Sequence, residues 1–436
     1  MQFKERVLLF RALFHLYLVK QRLNMREKSI HTIALLPISF SKFFERVGYY
    51  GIRSFFVLYL VNGVLGFSRE EASSIYGSFT LATGLMPLLG GLLTDLLLGV
   101  RLASIIGLFL QFIACILMMI PNTGGFYAGL FCMAFGIGLY NPSIISSLYF
   151  SYRDRQKGLD AAMNIFYVVI NIGAFSAPLI IGTFAEDMGY ISGFGLGAAM
   201  FLISALILIF SKKATNELPA RATIHLDEPS RSTMKVEWRI VTIAFIFIML
   251  PLFWAMFELG SAKIYGRLYE PGSDGFGSYM NIIQMVNPVV MLIAGILLSI
   301  IWSFWNLSSL LKIMIGFMIL ILSWVFLMLT IKMSISNEFV VFVILAFVLQ
   351  AVAELFISPI SLTYLCKHGS DVFNSTLVGL HLSVSRLATF VISFISVFTI
   401  SARGVYLFLI VGSFLLALIL LIFFFLADHK KQSRES

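Results

Sequence analysis

The chain has 436 residues, of which 59% are hydrophobic and 12% charged, whereas a soluble globular protein carries about 25% charged residues. This excludes an ordinary water-soluble domain, and an aromatic content of 15% with 43 phenylalanines fits long apolar helices better than the alternating strands of an outer-membrane barrel. The formal net charge of +9 does not indicate nucleic acid, because the basic residues lie mainly in the tails and in short loops, where they orient membrane spans.

Residues 1–33 read as a basic N-terminal extension. Within it Lys4, Arg11, His15 and Arg22 share one helical face while Leu, Phe and Val fill much of the rest, the pattern of an interfacial amphipathic helix. The other reading is that translation starts at Met25 and the preceding residues are an upstream extension.

Apolar runs long enough to cross a bilayer, about 20 residues each, follow near 40–63, 76–95, 102–120, 125–150, 160–184 and 192–211. A polar stretch with Pro219, Pro229 and mixed charges separates these from six more, near 240–260, 278–303, 309–331, 338–365, 374–399 and 404–427. The expected fold class is therefore an all-α polytopic membrane protein with two six-helix bundles, 34–211 and 240–427, a linker at 212–239 and a tail at 428–436.

Cations before the first span, Arg153, Arg155 and Lys157 after the fourth, and Lys430, Lys431 and Arg434 after the last all fall on one side. The positive-inside rule makes that side cytoplasmic, with both termini there and the protein in the plasma (inner) membrane. Cys115, Cys132 and Cys366 are odd in number and lie in or beside apolar runs, so they imply no disulfide framework.

Ionisable groups within spans are expensive in lipid, which makes each a functional hypothesis. In the first span helical spacing sets Lys42, Arg46, Tyr49 and Arg53 on one stripe with Glu45 beside them, as expected of a cavity lining. A salt-bridged helix end near the surface is the alternative for Lys42, which would then snorkel to headgroups. Arg53 lies too deep in the run for that.

The run Glu45-Arg46-Val47-Gly48-Tyr49-Tyr50-Gly51-Ile52-Arg53 resembles the E-x-x-E-R motif of the proton-coupled oligopeptide transporter family, within the major facilitator superfamily. Further resemblances run in family order. Gly90-Gly91-Leu92-Leu93-Thr94-Asp95 with Gly99 and Arg101 is similar to the superfamily loop motif after the second span, with Leu96 and Val100 at its usual basic positions. Gly138-Leu139-Tyr140-Asn141-Pro142-Ser143 resembles G-x-x-K-P-N, and Phe166-Tyr167-Val168-Val169-Ile170-Asn171-Ile172-Gly173 matches F-Y-x-x-I-N-x-G. In the second half Phe253-Trp254-Ala255-Met256-Phe257-Glu258, Gln284-Met285-Val286-Asn287-Pro288 and Glu354-Leu355-Phe356-Ile357-Ser358-Pro359 resemble F-W-x-x-x-E, Q-x-x-N-P and E-L-x-x-S-P.

The resemblance implies secondary active transport of di- and tripeptides with protons, by alternating access of two halves around a central site. It implies proton coupling or gating at Lys42, Glu45, Arg46, Asp95 and Glu258. It implies substrate contact at Tyr49, Tyr50, Arg53, Asn141, Asn171, Trp254, Glu258, Asn287, Glu354, Ser358 and His381, with Glu354 facing the peptide amino terminus. Arg53 opposite the two glutamates would make a dipolar cavity suited to a zwitterion. Asn171 as interhelix glue, and His381 satisfied by a neighbouring carbonyl, are the bland alternatives.

The departures fall together. Lys42 stands at the motif's first glutamate, Asn141 at a lysine important for coupled uptake, His381 at a pocket tryptophan with Arg386 a little over one turn on, and Gly84 at a second-span tyrosine. They keep two other functions in view: a peptide sensor that no longer transports, and a carrier for another small metabolite. No G-x-x-x-x-G-K-[ST] or H-E-x-x-H occurs, so neither ATP-driven pumping nor zinc hydrolysis is supported and no enzyme is expected. The expected partners are small peptides, protons and the bilayer, with no cofactor or metal and a monomeric state.

Overall fold

The computed structural model describes residues 31–63, 66–211, 236–268, 277–304, 307–334, 336–395 and 402–435. The amphipathic segment expected over 1–24, and nearly all of the expected linker, lie outside the described residues. Among the described residues there are twelve long helices and no strand.

The first six helices are α1 (Leu35–Asn62), α2 (Arg69–Leu93), α3 (Val100–Met118), α4 (Thr123–Ser151), α5 (Leu159–Ala177) and α6 (Tyr190–Phe210). A π-helical turn, Thr94–Leu98, prolongs α2, and another, Pro178–Gly182, leads α5 into a short helix, Thr183–Met188. The second six are α7 (Val236–Leu268), α8 (Gly277–Phe304), α9 (Ser309–Thr330), α10 (Asn337–His368), α11 (Asn374–Ile395) and α12 (Ala402–Glu435). Each apolar run of the sequence lies mainly in one of these helices, the run at 160–184 continuing from α5 through the π-helical turn into the short helix and the run at 374–399 extending past the described residues.

Helices outrun the apolar runs where polar residues can cap them. Ser68 begins α2 with a capping box: its Oγ accepts the Glu71 N–H at 3.2 Å, and the Glu71 carboxylate accepts the Ser68 N–H at 2.9 Å. Two backbone donors are satisfied outside the apolar stretch, so α2 starts at Arg69. Asn122 caps α4 with a single bond, its Oδ1 accepting from Gly125 N at 2.6 Å. Between α2 and α3 the chain reverses at Gly99, whose φ of 75° favours a residue without a Cβ.

Among the described residues, ten helices are long and apolar enough to cross a membrane. The other two are the polar ones. Helix α1 carries Lys42, Glu45, Arg46 and Arg53, and α11 carries Asn374, His381 and Arg386. In lipid such groups must face protein or a cavity, and packing satisfies this. Bulky side chains such as Phe131, Leu179, Phe210 and Phe408 point outward, where hydrocarbon accepts them.

Each half has its own apolar core. One gathers Phe55, Phe56, Phe126, Phe194 and Phe201 from α1, α4 and α6; the other gathers Phe253, Phe317, Trp324, Ile357 and Tyr406 from α7, α9, α10 and α12. The halves meet along α2 against α11 and α5 against α8 and α10. At the first seam a Cβ on Gly91 would overlap the Ser375 carbonyl oxygen, and one on Gly379 the Pro87 carbonyl oxygen. These glycines let the two helices close to backbone contact.

Candidate functional site

The halves enclose a cavity of about 360 Å³, within the range of small-molecule sites. Helix α1 contributes Lys42, Arg46 and Tyr50, spaced one turn apart, and α2 contributes Thr83, Gly84 and Pro87. Asn141 comes from α4, and Phe166, Tyr167, Ile170 and Asn171 from α5. The second half supplies Trp254 and Glu258 from α7, Glu354, Ser358 and Pro359 from α10, and His381, Ser385, Arg386 and Thr389 from α11. Pro87, Pro142 directly after Asn141, and Pro359 all lie within their helices, so the backbone groups a proline frees sit where protein or cavity surrounds them.

Glu45 anchors the first-half wall without reaching the cavity. It is 0% exposed, while Lys42 and Arg46 on either side are 2% and 7% exposed. Lys42 Nζ donates to Glu45 Oε2 at 3.0 Å, and Arg46 donates from Nε to Oε2 at 2.6 Å and from Nη2 to Oε1 at 2.5 Å. One carboxylate thus serves two cations, one of them by a bidentate fork. Asn141 completes the group: its Oδ1 accepts from Lys42 Nζ at 2.6 Å and from Arg46 Nη2 at 3.3 Å. The ammonium of Lys42 also lies 4.8 Å from the Tyr140 ring centroid. Lys42 is therefore held inside the bundle rather than extended to headgroups.

Glu354 lies on the opposite wall, 6% exposed. The Tyr167 hydroxyl, across the seam on α5, donates to Oε1, and Asn287 Nδ2 donates to Oε2 at 3.3 Å. Asn171 donates to the Tyr167 carbonyl oxygen at 2.9 Å, the interhelical-glue role being absent from this bond because both residues belong to α5. Glu258 is exposed to the cavity.

Eight of the eleven expected substrate-contacting residues line the cavity: Tyr50, Asn141, Asn171, Trp254, Glu258, Glu354, Ser358 and His381. Three do not. Tyr49 packs beside it, its hydroxyl 3.4 Å from Thr83 Oγ1, and Asn287 stands behind Glu354. Arg53 is the largest difference. It donates to the Tyr76 hydroxyl from Nε at 3.1 Å and Nη2 at 2.5 Å and is boxed by the rings of Tyr49, Tyr50 and Tyr76. It shares the stripe of Lys42 and Arg46, but eleven residues displace it from Lys42 by about 16 Å along the helix, beyond the cavity.

Asp95 sits away from the cavity, where the prolonged end of α2 meets the start of α11. It accepts from Ser375 N at 3.2 Å, Thr376 N at 2.7 Å and Thr376 Oγ1 at 2.7 Å. A carboxylate of one half thus caps a helix of the other, where orphan N–H groups and the helix dipole favour an anion.

The same end of the molecule holds three residues that the sequence reading did not single out. Asp160, at the start of α5, accepts from Lys312 of α9 at 2.5 Å and from Lys367 of α10 at 2.7 Å. Asp371, between α10 and α11, accepts from Tyr149 at 2.8 Å and Arg153 at 3.1 Å. His31 shares hydrogen bonds with Tyr152 at 2.9 Å and Ser303 at 3.4 Å, and its burial pushes the imidazole below its usual pKa. These residues lie at span ends and look like flanking charges; a polar residue just inside a span, as Lys312 is, was the available signal. Together they tie the two halves at the end where the described chain begins.

A family model described as Major Facilitator Superfamily matches residues 38–336. The chain is 27% identical over 281 residues to a di-/tripeptide transporter of Lactococcus lactis subsp. lactis, covering 62% of this chain and 54% of that one. It is 32% identical over 184 residues to the peptide transporter YePEPT of Yersinia enterocolitica, covering 41% and 36%. Over 191 residues it is 32% identical to the uncharacterized transporter YclF of Bacillus subtilis, covering 42% and 38%. The matches thus span about half or less of these relatives' lengths. Among solved structures, a POT family transporter in complex with 5-aminolevulinic acid superposes with a TM-score of 0.62 at 22% identity, covering 90% of this chain and 96% of that one. The peptide transporter POT in complex with sulfate gives 0.61 at 19% identity, with 90% and 94% covered. The chain shares its fold with these solved structures, and the family match over more than half of its length makes the chain a multi-pass membrane protein of the Major Facilitator Superfamily.

Proposed function

We propose that the protein is a divergent oligopeptide transporter: a secondary transporter that moves di- and tripeptides with protons by alternating access, without chemical conversion or a cofactor. The observation that carries this reading is the cavity at the seam of the two halves, with Glu258 and Glu354 on one wall and the Lys42–Glu45–Arg46–Asn141 group on the other. The similarity to proteins named as peptide transporters supports it. In this reading both termini are cytoplasmic and the membrane is the plasma (inner) membrane. The inter-half contacts of Asp95, Asp160 and Asp371 then serve as the cytoplasmic gate, which breaks when the halves rock.

Glu354 receives the peptide ammonium, and Glu45 and Glu258 are the carboxylates through which a proton couples to the gate. Lys42 and Asn141 favour a second reading, a sensor that binds peptide without moving it, since both occupy positions tied to coupling. Glu354→Gln preserves volume and removes the charge, so dialanine binding to purified protein should weaken about 10- to 100-fold, the worth of a charge-assisted hydrogen bond of about 1.5–3 kcal/mol. Equal affinity of variant and parent, measured by calorimetry, would remove Glu354 from the site.

A further inference from the structure

We propose that Arg386 on α11, and not Arg53 on α1, receives the carboxylate of the substrate, so that the second half alone grips both ends of a zwitterion. The inference rests on the peptide reading above. The cations around the cavity differ in how far they are already paired.

Lys42 and Arg46 reach the lining, but both are tied to Glu45 and Asn141. Arg53 is tied to Tyr76 and lies outside the lining. Arg386 lines the cavity, is exposed to it, and has no hydrogen bond or ion pair among the described residues. It lies within electrostatic reach of Glu258, Glu354 and Tyr50, yet forms a salt bridge with neither glutamate. Glu258 is likewise exposed to the cavity and unpaired among the described residues. An acid and a base share one cavity without closing on each other, leaving room for a ligand with the complementary pair.

Two further observations point to the same wall. His381, five residues earlier on α11 and also in the cavity lining, is 3% exposed and its Nδ1 has no partner among the described residues; it is a second polar group of the same helix with an unused position. Opposite, a Cβ on Gly84 would lie 3.0 Å from Arg386 Cβ and 3.3 Å from its Cγ. The glycine of α2 thereby makes the space in which the arginine stem packs, and the guanidinium is carried into the cavity by a fixed stem rather than a free one. A planar guanidinium offers a carboxylate two parallel N–H donors. The substrate class is accordingly a short α-peptide with both termini free.

The test compares dialanine, dialanine amide and N-acetyl-dialanine as ligands of the full-length protein in detergent. The parent should bind dialanine roughly 10- to 100-fold more tightly than its amide. Arg386→Gln should lose most of that preference by weakening the free acid and sparing the amide, while Arg386→Lys, which keeps the charge without the fork, should retain part of it. Arg53→Gln should leave the ratio of acid to amide close to that of the parent. If Arg386→Gln retains the full preference, or Arg53→Gln abolishes it, the assignment is overturned while the peptide reading stands. If the parent binds none of the three ligands, the peptide reading falls and takes this assignment with it. Should Arg386→Gln not fold, Arg386→Lys decides: an unchanged acid-to-amide ratio overturns the assignment and a reduced one supports it.

Discussion

Glu45→Gln should destabilise the protein by about 3–5 kcal/mol, the cost of breaking a buried ion pair by removing one partner. Glu45 is wholly buried and is the shared acceptor of Lys42 and Arg46. Glutamine leaves two buried cations about one turn apart with only amide oxygens to face. Removing a cation should be far milder, because the group already carries two cations against one acid: Lys42→Met leaves the bidentate Arg46–Glu45 pair intact and should cost about 1 kcal/mol. The comparison is made by denaturant unfolding of both variants in the same detergent. A loss for Glu45→Gln no greater than for Lys42→Met would mean that the three side chains do not share one carboxylate.

The second large effect concerns the two departures that the structure brings into contact. Lys42 Nζ lies 2.6 Å from Asn141 Oδ1, so a cation at 42 occupies the neighbourhood of the lysine implied at 141 by the family resemblance. Lys42→Glu sets two carboxylates against Arg46 alone, and Asn141→Lys sets a third cation beside Lys42 and Arg46. Together they give two acids and two bases, a neutral group. Each single change should lower peptide uptake about tenfold or more and the pair should recover it, a coupling energy of about 1–3 kcal/mol, at the upper end for residues in contact. Independent, additive losses in uptake by proteoliposomes would show that Lys42 does not stand in for the missing cation.

Much of this was legible in the sequence for one reason: lipid demands about 20 apolar residues per span and penalises every exception. The runs located twelve helices, and the exceptions in α1, Glu258 and Glu354 located most of the cavity. Boundaries were less legible, because Ser68 and Asn122 begin helices with caps that an apolar run does not register. Arg53 falls outside the cavity lining because spacing gives an angle around a helix and not the depth at which neighbouring helices leave space. Arg386 depends on Gly84, 302 positions away in sequence, a relation that only tertiary packing displays. The Asp160–Lys312–Lys367 group was hidden for the same reason, its members drawn from the ends of three helices.

The most direct test of the account is counterflow. Proteoliposomes containing the full-length protein and loaded with unlabelled dialanine should accumulate labelled dialanine from a trace outside, and an inwardly directed proton gradient should drive uptake into unloaded vesicles. Binding of dialanine without counterflow would contradict transport and leave a sensor; counterflow indifferent to the proton gradient would contradict coupling.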